Sequence, residues 1–240
     1  MSVDPPRFAS ARPRGGRVLA AFALIATLLA GCALLRERVD EPAPTVPTSG
    51  ENLPTLTVVG DSLTADGGDL GGSSFGPTTW LYDVVAAGIP WAGGWARPGA
   101  TTSDMLDHVR PVPEADVVVI LAGTNDVALG IPFREIADNL RQIATTVGAS
   151  RVIVASIPPL ARLPEAPPAF NAQLAELANH EGWEFVDASA GLRVGEEWAD
   201  GMTVDGVHPT ADGQRVLGAA LIDAIVAGAA PANDHDTGGD

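Results

Sequence analysis

Lysine is absent from the 240 residues, and cysteine and tyrosine occur once each. A single thiol excludes any disulfide within the chain, so the fold rests on its core alone. The 14 basic residues are all arginines, set against 30 acidic ones, for a net charge of −16. That balance argues against a basic face for nucleic acid or for anionic lipid headgroups. Long hydrophobic runs are missing as well: the mostly apolar stretch from Val18 to Ala30 is too short to cross a bilayer comfortably. No internal repeat is visible, which sets aside solenoids and propellers.

What stands at the start reads as a sorting signal. Arg7, Arg12, Arg14 and Arg17 precede the Val18 to Ala30 run, the arrangement of a charged n-region and an h-region. The run ends in Leu-Leu-Ala-Gly-Cys, which resembles the lipobox of bacterial lipoprotein precursors. The resemblance implies cleavage before Cys32, whose thiol would then carry a diacylglyceryl anchor at the outer face of the bacterial cell membrane. An uncleaved signal anchor or an incidental cysteine is the competing reading. Residues 1–31 are thus expected to form a lipoprotein signal peptide, and residues 32–54, rich in Pro, Glu, Thr and Ser, an extended tether. Residues 55–227 suffice for one domain with a sizeable core, and 228–240 form an acidic tail expected to be disordered.

Within the domain, apolar runs alternate with helical patterns. Leu56, Val58 and Val59 end a buried strand at Gly60; Ala65 to Gly76 is a glycine-rich loop; Thr78 to Ala87 reads as a helix with Trp80, Leu81, Val84 and Val85 available for burial. A short strand from Trp91 to Ala96 leads through a turn at Gly99 to a helix capped by Thr101 or Thr102. The run from Asp116 to Ala122 is apolar throughout, as in a strand covered on both faces. A helix from Phe133 to Val147, a strand from Arg151 to Ile157, a helix from Phe170 to His180, a strand from Glu184 to Asp187 and a helix from Ala211 to Ala227 follow. Such alternation predicts a parallel sheet with helices on both faces.

Three polar stretches interrupt this pattern: Gly-Asp-Ser at 60–62, Gly-Thr-Asn-Asp at 123–126 and Asp-Gly-Val-His at 205–208. Ester hydrolysis needs a nucleophile, a base oriented by a third group, and donors for the oxyanion. Ser62 can attack, His208 can take its proton, and Asp205, three residues earlier, can fold back to hold the imidazole. Pro209 keeps His208 out of the helical region at a fixed chain exit. The order Ser, Asp, His matches the α/β-hydrolases, but no G-x-S-x-G elbow surrounds Ser62, so another architecture is required.

The sequence resembles the SGNH, or GDSL-like, hydrolases through four stretches in family order: VVGDSLT, RPGATTSDML, LAGTNDV and VDGVHPT. The resemblance implies an α/β/α sandwich around a mostly parallel five-stranded sheet of flavodoxin-like type, without metal or organic cofactor. Ser62 is then nucleophile and backbone oxyanion donor, Gly99 the second backbone donor, Asn125 the side-chain donor, and Asp205 and His208 complete a triad. One departure concerns the second stretch, where Ala96 and Arg97 stand at the place many members carry asparagine. Asp61 and Asp126 are expected to brace loops, and His108 and His180 to face solvent. The DHD at 234–236 is a poor metal candidate. The tryptophans read as packing residues, with Trp91 or Trp95 available to line a cleft.

Together these readings describe an anchored extracytoplasmic serine esterase for short acyl or O-acetyl esters, small molecules or glycans, with no nucleic-acid partner. Acyl transfer, lipase or thioesterase action at the same site, or a silent glycan- or partner-binding lipoprotein, are the alternatives. The loop from Ala65 to Gly76 is the natural place for acyl-chain selection.

Overall fold

A computed structural model describes residues 53–65 and 75–228. The expected signal peptide, Cys32, most of the tether and of the 65–76 loop, and the DHD of the tail lie outside the described residues. The chain runs β1 (Leu56–Gly60), α1 (Ser62–Ala65), α2 (Trp80–Ala86), β2 (Trp91–Ala96), α3 (Thr102–His108), β3 (Val117–Leu121), α4 (Thr124–Leu129) and α5 (Phe133–Val147). It continues with β4 (Arg151–Ala155), α6 (Ala166–Glu181), β5 (Glu184–Val186), the two-residue strands β6 (Arg193–Val194) and β7 (Glu197–Trp198), and α7 (Ala211–Ala227).

Five strands form one parallel sheet, as expected from the sequence, and their order is β2-β1-β3-β4-β5. Strand periodicity divides the core between its faces. Leu56 and Val58 of β1 with Val117, Val119 and Leu121 of β3 pack against Trp80, Leu81 and Val84 of α2 and Leu217 and Leu221 of α7. Val59, Val118 and Ile120 point the other way, onto Met105, Ile136, Leu140, Ile143 and Leu174 of α3, α5 and α6. Each aliphatic side chain so enclosed contributes roughly 1.5–3 kcal/mol. Val85, expected on the buried face of α2, is exposed.

Edge strand β2 departs from simple alternation. Leu56 pairs with Trp91 but Val58 pairs with Gly94, so β2 carries one extra residue. A side chain at Gly94 would lie 2.2 Å from the Val58 carbonyl oxygen, which requires glycine there. Because of the bulge Trp91 and Trp95, four residues apart, emerge on opposite faces: Trp91 meets Phe75 edge-on, while Trp95 stacks on His108.

Strand order reverses beside β1: the chain steps outward to β2, then crosses back to β3 on the other flank. At such a switch point the loops leaving neighbouring strands part, and a crevice opens at their carboxyl ends. The loops after β1 and β3 carry Ser62 and Asn125.

Candidate active site

The turn that carries Ser62 begins where β1 stops. A Cβ on Gly60 would sit 2.4 Å from the Thr64 hydroxyl and 3.0 Å from the Leu121 carbonyl, so glycine is required by close approach and not by an unusual backbone angle. Asp61 then caps the turn: its Oδ1 accepts the Leu63 amide at 2.9 Å, and its carbonyl accepts the amides of Thr64 and Ala65. Its side chain is wholly buried. Desolvation, opposed mainly by the Leu63 amide, raises its pKa from 3.8 to about 7, and the neighbouring Asp126 adds to the rise.

The loop after β3 grips the loop after β2. Asn125 Nδ2 donates to the Ala100 carbonyl at 2.9 Å and approaches Asp61 Oδ2 at 3.5 Å. Both neighbours are acceptors, which orients the amide with its nitrogen inward. Asp126, also buried, accepts the Thr102 amide with both oxygens, at 3.1 and 3.0 Å, and the Thr102 hydroxyl at 2.6 Å. Its pKa is raised by desolvation, against the lowering effect of Thr102. Thr101 caps α3 through a reciprocal pair with Asp104. Gly99, held between these clamps and β2, has φ of +78° and open space where a side chain would stand.

His208 arrives on the loop before α7. Thr203 and Pro209 bridge its two ends, and Thr203 Oγ1 accepts the Gly206 amide at 2.8 Å while donating to the His208 carbonyl. Gly206 takes φ of +84°, and its carbonyl accepts the Ala161 amide and Trp198 Nε1. This folds Asp205 back on His208: Oδ1 accepts the Val207 and His208 amides, and Oδ2 lies 2.7 Å from His208 Nδ1. His208 Nε2 lies 2.9 Å from Ser62 Oγ. Partial desolvation raises the Asp205 pKa, but the bonds from His208 and Val207 outweigh it and bring it down to about 2. An ionised Asp205 accepts a hydrogen bond from Nδ1–H, which leaves the Nε2 lone pair facing the serine hydroxyl.

Ser62 and His208 open onto a cavity of about 470 Å³ that Thr78, Pro98, Val204 and Gln214 also line. A second cavity, about 240 Å³, lies beside Pro159 and Arg193 and contains none of the site residues. Trp91 and Trp95 do not line the Ser62 cavity. His108 and His180 are exposed, the first stacked on Trp95 and the second against Glu181. Among the described residues there is no cluster of three or more His, Cys, Asp or Glu able to hold a metal, and no helix long and apolar enough to cross a membrane. Sequence reasoning missed Gln214, which is buried at 3% exposure. Its signal was there: a polar residue in the same helical row as Leu217 and Leu221.

Residues 58–216, more than half of the chain, match the GDSL-like Lipase/Acylhydrolase family. The chain belongs to that family. This GDSL-like hydrolase is accordingly a serine ester hydrolase with the α/β fold of its relatives. A GDSL-like lipase from Bacteroides thetaiotaomicron is 25% identical with a TM-score of 0.58, the match covering 73% of this chain and 89% of that one. An acetylxylan esterase from Geobacillus stearothermophilus is 19% identical with a TM-score of 0.58, covering 73% and 95%. A lipolytic protein of the G-D-S-L family from Veillonella parvula is 16% identical with a TM-score of 0.56, covering 72% and 97%. No curated protein sequence matches this GDSL-like hydrolase.

Proposed function

We propose that the chain is a lipid-anchored, extracytoplasmic serine esterase that hydrolyses short acyl or O-acetyl esters through Ser62, His208 and Asp205. The observation that carries this reading is the unbroken series of contacts from Asp205 through His208 to Ser62 at the edge of an open cavity. Ser62 Oγ attacks the ester carbonyl while its proton passes to His208 Nε2, and the ionised Asp205 stabilises the imidazolium that results. The oxyanion takes hydrogen bonds from the Ser62 and Gly99 amides and from Asn125 Nδ2, which keeps one N–H on Ala100 and exchanges its long 3.5 Å contact with Asp61 for the oxyanion. His208 returns the proton to the departing alcohol, and a water deprotonated by the same imidazole releases the acid from the acyl-enzyme.

Support for small acyl groups comes from the lining of the cavity among the described residues, where Thr78, Thr210 and Gln214 mix with Pro98 and Val204. A catalyst tethered through Cys32 would meet surface glycans and esters arriving at the envelope, which favours O-acetyl substrates. The test is hydrolysis of p-nitrophenyl esters from acetate to palmitate by the full chain, with Ser62→Ala in parallel. Activity falling with chain length is expected, and Ser62→Ala should lose at least about a thousandfold. Equal rates for wild type and variant, both folded, would remove the hydrolytic reading; activity that rises with length would move the substrate to lipids.

A further inference from the structure

The nucleophile turn α1 has only four residues, too few to hold its own shape. What fixes it comes from far along the chain. Gln214 Nε2 donates to the Leu63 carbonyl at 3.1 Å, and Gln214 Oε1 accepts the Trp80 amide at 3.0 Å. Trp80 opens α2, so its N–H is one of the donors a helix leaves unpaired at its start. One buried amide thus satisfies the carbonyl next to Ser62 and the first donor of the following helix. Beside it, Thr79 Oγ1 donates to the Thr64 carbonyl and Trp80 Nε1 to the Thr64 hydroxyl.

Gln214 also stands six positions after His208, in the first turn of α7. The segment between them is tied down: the Thr210 amide bonds the Met202 carbonyl, its hydroxyl bonds the Gly201 carbonyl, and its Oγ1 accepts the Gly213 amide. Base loop and Gln214 are therefore tied into one piece, and among the described residues Gln214 is the side chain that hydrogen-bonds this piece to the serine turn apart from the catalytic contact itself.

We propose that Gln214 is a positioning residue that sets the distance between Ser62 Oγ and His208 Nε2 by docking α7 onto the Leu63 carbonyl. It does not reach the reacting oxygen, and it acts through its grip on Leu63. The proposal rests on the serine-esterase reading given above. Removing the amide while keeping the volume frees the serine turn to drift from the imidazole, and a misplacement of about 1 Å costs on the order of a hundredfold in rate.

The test is Gln214→Met in the full chain, assayed on p-nitrophenyl acetate and by the rate of labelling with a fluorophosphonate, with the labelled fraction counting intact sites. Gln214→Glu keeps the length and the acceptor for Trp80 but, when ionised, removes the donor to Leu63; it serves where the methionine variant does not fold. The expected result is a fall of about tenfold to a hundredfold in kcat per labelled serine, with KM nearly unchanged and labelling slowed in parallel. Fewer labelled sites that each turn over and label at the wild-type rate would overturn the proposal, since that is the behaviour of a residue that only stabilises the fold. A wild type that neither labels nor hydrolyses would instead sink the esterase reading.

Discussion

At the residue scale the site is notable for Asp61, an ionisable group buried behind Ser62. Asp61 is fully buried and its folded pKa is raised to about 7, against about 3.9 in an unfolded chain. The native state therefore holds a proton that the unfolded state has released across that interval, so stability is greatest below about pH 4 as far as this group is concerned, and is lost as pH rises through 7. Asp205 works in the opposite direction but in a lower window, its contribution disappearing only as pH falls toward 2. Asp61→Asn mimics the protonated acid. It should unfold at the same urea concentration as wild type near pH 3.5 and at a higher one at pH 8. Parallel curves at both pH values would show that Asp61 ionises as freely in the fold as outside it. Asp126 raises and His208 lowers the pKa of this carboxyl, so both neighbours set where the crossover falls.

At the scale of elements, the site depends on glycines whose reasons differ. Gly123 caps α4 with φ of +113°, and a Cβ there would lie 2.3 Å from Phe170, whose ring is buried against Phe133. Gly148 ends α5 with φ of +77° but has nothing within 4 Å. Gly148→Ala should thus lose only the left-handed penalty, roughly 1–2 kcal/mol. Gly123→Ala adds overpacking and should lose roughly 2–5 kcal/mol in urea unfolding. Equal losses would mean that Phe170 gives way freely. Such distinctions are invisible in sequence, where both positions read simply as glycine. The long amphipathic pattern from Phe133 to Val147 was fully legible because six of its residues share one buried face. Helix α6 begins at Ala166, before the expected Phe170, because Pro167 and Pro168 occupy a first turn that needs no amide donors. Helix α4 and the two-residue strands β6 and β7 are too short to show a period. The β2 bulge depends on a register no single strand reveals. The three polar stretches, in contrast, announced themselves by breaking apolar runs, and the fold brings Ser62, Asp205 and His208 together. Gln214 and the Asn125 contact to Ala100 join residues 151 and 25 positions apart, which periodicity does not report.

For the whole molecule, the proposed attachment to a surface has to be reconciled with its charge. A net charge of −16 without a single lysine gives no electrostatic attraction to anionic headgroups. The apolar run from Val18 to Ala30 would span only about 20 Å even if wholly helical, against roughly 30 Å of hydrocarbon. A diacylglyceryl group on Cys32 avoids both difficulties, since two acyl chains suffice for stable attachment where one does not. The full chain, expressed in a bacterium fed an alkynyl fatty acid, should take up the label and sediment with membranes in high salt, which strips proteins held by charge. Cys32→Ala should lose the label; if it also leaves the membrane fraction, the thiol is the anchor. Should the unlabelled variant still sediment, the uncleaved run around Val18 to Ala30 is holding the chain, and the esterase domain would keep its surface location by a different attachment.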